Sequence, residues 1–192
     1  MSKIDFDVDI DFADRDLVLS GLQHAAGTIA RIHKTEKHNT GVYFQDIPKD
    51  PFTNQANIDY KTAQDIGYFK VDMLNVSLYE EVQDEAHLVH LMKEPDWTLL
   101  ESRGIVEELF HINSYFNLVN KLRPKSVEEL AMVLALIRPS KKYLWDEPWD
   151  KIKREVWLKA GDGSYVFKRG HAISYAMAIV VQLNLLTEQA SK

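Results

Sequence analysis

Four aspartates alternate with apolar residues near the start of the sequence. Residues 5 to 12 read Asp-Phe-Asp-Val-Asp-Ile-Asp-Phe, so the acids fall at every second position. Strict alternation predicts a β-strand, on which residues two apart point to the same face. We therefore expect the four carboxylates to stand in a row and the four apolar side chains to pack into a core. The acidic face would carry Asp5, Asp7, Asp9 and Asp11, and the apolar face Phe6, Val8, Ile10 and Phe12.

Such a row of carboxylates requires compensation, because like charges roughly 5–7 Å apart on one strand face repel one another. Oxygen ligands at this spacing suit Mg²⁺ or Mn²⁺. An acidic, solvated edge strand is the other interpretation, since charge on a sheet edge prevents aggregation. The stretch by itself leaves both interpretations open.

A further acid, Asp72, lies inside the otherwise apolar residues 68 to 74, which are predicted to form a second strand. A lone aspartate in a buried strand is costly unless it is paired, hydrogen-bonded or bound to a metal ion. Asp72 is therefore the expected partner of the first acidic row.

The elements that would position these acids occupy the first 75 residues. Apolar residues at helical spacing predict a helix over residues 13 to 34, capped by Asp14 or Asp11. Residues 35 to 40 are polar and predicted to be a loop, followed by a strand over residues 41 to 47. A short helix over residues 60 to 66, capped by Asp59, leads into the strand that carries Asp72.

The remaining residues are predicted to be mainly helical. Helices are expected over residues 77 to 93, 96 to 103, 105 to 120, 126 to 137, 151 to 160 and 171 to 186. Tryptophans 145, 149 and 157 are interpreted as anchors of a small helical core rather than as base-stacking groups. We predict an α+β fold: a small mixed sheet in residues 1–75 followed by a helical part in residues 76–192, together forming one compact unit.

Two groups of the helical part could bind ligands. Residues 168 to 171, Lys-Arg-Gly-His, stand at the start of the last predicted helix, where side-chain charge and free amide groups suit a phosphate. His87 and His90 have a spacing that could bind a metal ion, but no third ligand is indicated, so an ordinary surface pair is the preferred interpretation.

Composition limits the class of protein. The chain has 192 residues, no cysteine and a net charge of −6. These values predict a single-domain cytoplasmic protein without disulfides, and the apolar run 172–186 is too interrupted to predict a membrane span. The acidic balance argues against nucleic-acid binding through global charge. The basic stretches 121–142 and 151–169 are compatible with a phosphate-bearing ligand and equally with a mixed surface.

In order along the chain, five segments resemble the polymerase core of the bacterial DNA polymerase III alpha subunit, a C-family replicative polymerase. Residues 7–16 look like its palm motif of alternating aspartates before a helix, and residues 38–42 look like its His-x-x-Gly-Val segment. Residues 69–74 resemble the Lys-x-Asp-Phe-Leu pattern of the third palm aspartate. Residues 126–139 look like the fingers segment that ends in Arg-Pro-Gly, and residues 165–176 are similar to the Phe-Asn-Lys-Ser-His-Ala helix.

This resemblance implies a palm-like and a fingers-like part and assigns roles to individual residues. Asp7, Asp9 and Asp72 would be catalytic and would bind two Mg²⁺ (or Mn²⁺) ions. Positively charged side chains would contact the nucleotide or the nucleic-acid backbone: Lys70, Arg138, Lys168, Arg169 and His171. The implied ligands are DNA and a deoxynucleoside triphosphate, in replication or repair.

The sequence also departs from the family's pattern. The glycine- and serine-rich triphosphate loop and a large basic segment are not found, and Asn75 and Ser140 replace glycines. One hypothesis is a reduced, phage-like nucleotidyltransferase that a protein partner completes. The alternative is an inactive descendant that binds DNA or a partner as an accessory protein. A retained site requires Asp72 to converge on Asp7 and Asp9.

Overall fold

The computed structural model describes residues 8–32, 34–159 and 167–191. It confirms the predicted α+β class, with a mixed four-stranded sheet and a set of helices. The chain divides into two compact units, Met1–Glu80 and Glu81–Lys192. Asp5, Asp7 and residues 165 and 166 of the polymerase-like motifs lie outside the described residues.

The first unit is built on the sheet. Its strands are β1 (Val8–Phe12), β2 (Ala25–Ala30), β3 (Thr35–Tyr43) and β4 (Val71–Asn75), and its α-helices are α1 (Arg15–Ser20) and α2 (Tyr60–Asp65). The strand order is β1-β4-β3-β2. β1 runs parallel to β4, whereas β4 pairs antiparallel with β3 and β3 antiparallel with β2. The two strands that carry the predicted acids are therefore neighbours.

The predicted alternation of β1 is present, but its apolar side is only partly buried. Val8 pairs in register with Val71 and Ile10 with Met73. Val71 and Met73 are buried, whereas Val8 and Ile10 remain 37% and 41% exposed. The expectation that both would pack fully into the core is wrong, because β1 is an edge strand with a described neighbour on one side only.

The prediction of one helix over residues 13–34 is also wrong. The helix α1 begins after its cap Asp14, as predicted, but ends at the cap Gly21, and β2 follows. Gly27 allows β2 and β3 to approach closely, because a Cβ at this position would lie 3.1 Å from the carbonyl oxygen of Gly41 on β3. The helical spacing of the apolar residues therefore did not indicate the observed pairing with β3.

The predicted loop 35–40 is instead the first part of β3. This strand contains a large bulge: Ala26 pairs with Val42 and Thr28 with Lys37, so the single residue Gly27 faces the four residues 38 to 41. A bulge bends the strand and re-aims its side chains. Residues 38–41 belong to one of the polymerase-like motifs, and the bulge decides where they point.

The second unit consists of helices. They are α3 (Glu85–Leu91), α4 (Arg103–Glu108), α5 (Phe116–Leu122), α6 (Val127–Leu136), α7 (Trp149–Glu155) and α8 (Arg169–Ala190). Short 3₁₀ segments cover Ser77–Glu81, Trp97–Glu101 and Pro139–Leu144, the first of which starts in the first unit. The helices predicted over 77–93 and 105–120 are each interrupted. Within the first, Asp84 starts a new helix by accepting the N–H of His87. Within the second, the backbone of His111 has a φ of 60°, which does not continue an α-helix.

A continuous apolar core holds the second unit together. Seven consecutive residues of α6, Leu130 to Leu136, are buried, and Ala176, Ile179 and Leu183 of α8 are buried in the same cluster. Ser126 caps α6 by accepting the N–H of Glu129 at 3.2 Å, as predicted. The indole N–H groups of Trp145 and Trp149 donate to main-chain carbonyls at 2.7 and 3.0 Å, which supports their interpretation as core anchors.

The helix α8 is long and apolar enough to cross a membrane by length and composition alone. Core helices of soluble proteins can have the same length and composition, so these two properties are weak evidence for a membrane span. Eight residues of α8 are buried within the structure.

Candidate functional site

The two described aspartates of the predicted triad lie side by side. Asp9 of β1 and Asp72 of β4 are partners in the parallel register. Partners in neighbouring strands point to the same face and their backbones are about 4.8 Å apart. Asp9 is exposed, whereas the Asp72 side chain is only 14% exposed. The third predicted carboxylate, Asp7, lies outside the described residues.

Asp72 is held at each of its two oxygens. The Thr40 hydroxyl donates to Oδ1 at 2.8 Å, and the Lys70 ammonium forms an ion pair with Oδ2. The Lys70 side chain is 15% exposed. The partly buried carboxylate thus has a hydrogen bond and a cation from the chain itself, which offset the cost of its burial.

His38 organises the bulge of β3. Its Nδ1 accepts the N–H of Gly41 at 2.9 Å and the N–H of Thr40 at 3.3 Å. Because Nδ1 is an acceptor in both bonds, the neutral ring carries its proton on Nε2. The 3.7 Å separation between this Nδ1 and Oδ1 of Asp72 is consequently a close approach and not a hydrogen bond.

Gly41 makes room for the Lys70 side chain. It is the register partner of Asp72 on β3, and a Cβ there would lie 2.5 Å from Cδ of Lys70 and 3.1 Å from Nδ1 of His38. A glycine within a strand often marks a position where another group approaches closely. The Lys70 stem therefore passes over Gly41 on its way to Asp72.

Tyr60 of α2 forms an aromatic wall beside these groups. Its ring meets the ring of His38 edge-on at 5.7 Å, and Nζ of Lys70 lies 5.9 Å from its centroid. Arg15 of α1 adds a second cation near the bulge, since its guanidinium donates to the carbonyl oxygen of Asn39. Its Nε is buried without a hydrogen-bond partner among the described residues.

Asn75, one of the two predicted departures from the polymerase pattern, has a structural role at the end of β4. Its Oδ1 accepts the N–H of Arg15 at 2.7 Å and so ties the start of α1 to the strand that carries Asp72. Thr40 and Arg15 lie in the polymerase-like segments, but no role in the site was predicted from the sequence for them or for Tyr60.

Burial and the neighbouring aspartates raise the pKa values of three groups in the first unit. Burial, and then the neighbouring charge of Asp9, raise the pKa of Asp11. Burial and the charge of Asp11 in turn raise the pKa of Tyr79. Tyr43 is completely buried, and burial with the charges of Asp59 and Asp72 raises its pKa to about 12. The repulsion expected within the acidic row is therefore present between residues two apart on β1.

Two of the three carboxylates that were predicted to bind a metal ion belong to the described residues. Asp9 and Asp72 offer carboxylate oxygens, the donors that Mg²⁺ and Mn²⁺ prefer, on one face of two adjacent strands. Among residues 8–32, 34–159 and 167–191, no group of three or more histidine, aspartate or glutamate side chains is arranged to hold a metal ion. The donor chemistry fits a divalent cation, with Asp7 as the predicted third ligand.

The other predicted ligand-binding residues lie in the second unit. The Arg138 guanidinium stacks 4.2 Å above the Phe167 ring, and His171 stacks on the same ring at 6.3 Å. Lys168 is the N-cap residue of α8, and Arg169, its first residue, pairs with Glu128 at 3.3 Å. Arg138 Nε is buried without a hydrogen-bond partner in the described part of the chain.

His111 belongs to the same group and was not predicted. Its ring contacts those of Phe110 and Tyr175, with centroids 3.9 and 4.6 Å apart. Burial, and then the charge of Arg138, lower its pKa. Its positive φ is a conformation that non-glycine residues seldom adopt. The helix predicted over residues 105–120 did not include the turn at His111, so its position beside Arg138 was missed.

The histidine pair His87 and His90 does have a carboxylate neighbour. Their Nε2 atoms lie 3.1 and 3.8 Å from the two oxygens of Glu188 on α8. This contact joins α3 to α8, and the three side chains are not arranged as a metal site.

Comparisons of the sequence with protein-family models and with curated proteins, and of the structure with solved structures, gave no match.

Proposed function

We propose that this protein is a reduced relative of the C-family replicative DNA polymerases and supports metal-dependent nucleotidyl transfer in DNA replication or repair. The observation that carries the proposal is the pairing of Asp9 with Asp72 on adjacent parallel strands, with Lys70 on the same face. Carboxylates that converge from separate strands are the arrangement required to hold a catalytic cation.

Asp9 and Asp72, together with Asp7, would hold Mg²⁺ or Mn²⁺, in a pair of ions. When bound, the ions would neutralise the charge of the triphosphate and activate a primer 3′ hydroxyl. Lys70 would bring a positive charge to a phosphate oxygen beside Asp72. Arg138, Lys168, Arg169 and His171 of the second unit would bind the nucleotide or the DNA backbone.

The proposed ligands are DNA and a deoxynucleoside triphosphate, and the proposed location is the cytoplasm. A protein partner would supply further contacts to the triphosphate. Without those contacts the reacting groups would be poorly positioned, so little activity is expected from the isolated chain.

A second candidate is an inactive descendant that binds DNA or a protein as an accessory factor. The contacts of Asp72 favour it, because Thr40 and Lys70 satisfy both carboxylate oxygens without a metal ion. The two candidates differ in whether the acidic face binds a divalent cation.

Calorimetric titration of Mn²⁺ and Mg²⁺ into the wild type and Asp72→Asn tests the proposal, with and without a primed template and nucleotide. We expect binding that Asp72→Asn abolishes and that nucleotide strengthens, followed by primer extension when a partner is supplied. Asp46→Asn, which changes an exposed carboxylate of the same unit, is the matched control and should bind like the wild type. An absence of binding under every condition would favour the accessory protein.

A further inference from the structure

The two oxygens of Asp72 are held by groups of different mobility. Oδ1 accepts from Thr40, a short side chain on the neighbouring strand β3. Oδ2 contacts Lys70, whose ammonium stands at the end of a flexible four-carbon stem. One contact is therefore anchored close to the backbone and the other can be withdrawn by rotating a side chain.

The Thr40 contact is fixed from a second direction. His38 Nδ1 already accepts the N–H groups of Thr40 and Gly41, at 3.3 and 2.9 Å. The Thr40 hydroxyl lies 3.4 Å from that nitrogen but 2.8 Å from Oδ1 of Asp72, so its single proton is directed to the carboxylate. The bulge and His38 together determine where the hydroxyl points.

A second group also favours the charge of Lys70. In the position where it pairs with Asp72, its Nζ lies 5.9 Å from the centroid of Tyr60, within the range of a cation–π interaction. The stem lies across Gly41, where no side chain obstructs it. The contact with the Tyr60 ring does not depend on Asp72, so an ammonium released from Asp72 would keep one favourable neighbour.

We propose that Lys70 occupies the position of a cation at Asp72 until a divalent ion displaces it, whereas Thr40, fixed by His38, keeps Oδ1 in place during the exchange. This inference rests on the proposed function and concerns the regulation of the same site. Lys70 is then a competitor of the metal ion, and Thr40 and His38 are positioning residues. The displaced ammonium becomes available to a phosphate, which couples metal binding to nucleotide binding.

The test is calorimetric titration of Mn²⁺, at constant pH and low salt, into the wild type and the variants Lys70→Met, Lys61→Met, Thr40→Val and Thr40→Ser. Methionine keeps a long stem over Gly41 but removes the charge. Lys61 is a matched control, because its Nζ also lies 5.9 Å from the Tyr60 ring and it has no ion pair with Asp72.

We expect Lys70→Met to bind Mn²⁺ about tenfold more tightly than the wild type, since a competing charge is removed. Lys61→Met should bind within about twofold of the wild type, because an exposed charge is screened. Thr40→Val should weaken binding several-fold and Thr40→Ser should restore it. Thermal unfolding without metal separates this loss from a general loss of stability.

Three results would contradict parts of this account in distinguishable ways. If Asp72→Asn abolishes binding but Lys70→Met binds no better than Lys61→Met, the exchange is wrong and the metal site survives. If Thr40→Val binds like the wild type, Thr40 does not position Asp72. If no protein binds Mn²⁺, Lys70→Met included, both the exchange and the proposed metal-dependent function fail.

Discussion

The two units of this protein use their residues differently. The second unit buries one continuous cluster in which α6 is almost wholly enclosed. The first unit has two small clusters, one around Tyr43 and one around Val42 and Met73, and one face of its sheet carries the polar network of Asp72.

Exposed apolar side chains show the same contrast among the described residues. In the first unit they are Val8, Ile10, Leu17, Leu22, Ile32, Phe44, Phe52 and Ile66, and in the second unit Val89, Met92, Tyr143 and Leu158. A sheet of four strands can bury only a limited apolar surface, and this surface is smaller still because one face carries polar groups. We therefore expect the second unit to contribute most of the stability, whereas the first unit carries the candidate site.

The largest expected effect is a core truncation in α6. Leu134→Ala removes a fully buried side chain and should destabilise the protein by about 2–5 kcal/mol, because a cavity adds to the lost burial. Ile10→Ala, at a partly exposed position of β1, should cost about 1 kcal/mol or less. Urea unfolding measures both. Equal losses would remove the contrast between the units.

A glycine substitution sharpens the description of the polar face. Gly41→Ala brings a Cβ against the Lys70 stem and should destabilise the protein by about 1–3 kcal/mol. In the Lys70→Ala background the same change should cost clearly less, because the obstructing stem is gone. A double-mutant cycle by urea unfolding measures this coupling. A coupling near zero would show that Lys70 does not lie over Gly41.

Tyr43 offers a test of polar burial in the first unit. Its hydroxyl is buried and has no hydrogen-bond partner among the described residues. Tyr43→Phe should therefore leave the stability unchanged or raise it by about 1 kcal/mol. A clear drop in the melting temperature would show that the Tyr43 hydroxyl does have a hydrogen-bond partner.

Asp11 should give the first unit a characteristic pH dependence. Its pKa is raised in the folded state, so folding takes up protons, and stability falls as the pH rises from the ordinary value of 3.8 through the raised value. Asp11→Asn should consequently be more stable than the wild type at pH 7, and the difference should vanish below about pH 4. Melting temperatures across this range provide the check, and a constant difference would contradict it.

The smallest effect is expected at His111 in the second unit. Its pKa is lowered, so the unfolded state binds the proton more readily and stability decreases as the pH falls through 6.5. Asparagine tolerates a positive φ and does not titrate. His111→Asn should therefore lose less melting temperature between pH 7.5 and pH 5 than the wild type does. An equal loss would assign the pH dependence to other groups.

Local signals in the sequence predicted local structure well. The capping residues Asp14, Asp59 and Ser126 begin helices as expected, because a cap requires only the neighbouring residues. The apolar spacing of residues 13–34 was misleading. Six residues of that segment form β2, and their pairing with the distant strand β3, including the close approach of Gly27 to Gly41, cannot be read from the segment itself.

The candidate site could be predicted in part for the same reason. Asp72 was identified because a lone acid in an apolar strand needs a partner, and that partner is Lys70, the residue just before β4. Thr40 was missed because polar residues 35–40 do not show the apolar alternation of a strand. Its direction depends on a bulge, which is a property of two paired strands and not of one segment.

The central claim is that Asp9 and Asp72 hold a divalent cation between β1 and β4. Paramagnetic broadening by substoichiometric Mn²⁺ in amide NMR spectra locates such an ion directly. We expect the amide signals of residues 9, 41 and 72 to be lost selectively in the wild type and to be retained in Asp72→Asn. Broadening centred on other residues, or an identical pattern in Asp72→Asn, would contradict it.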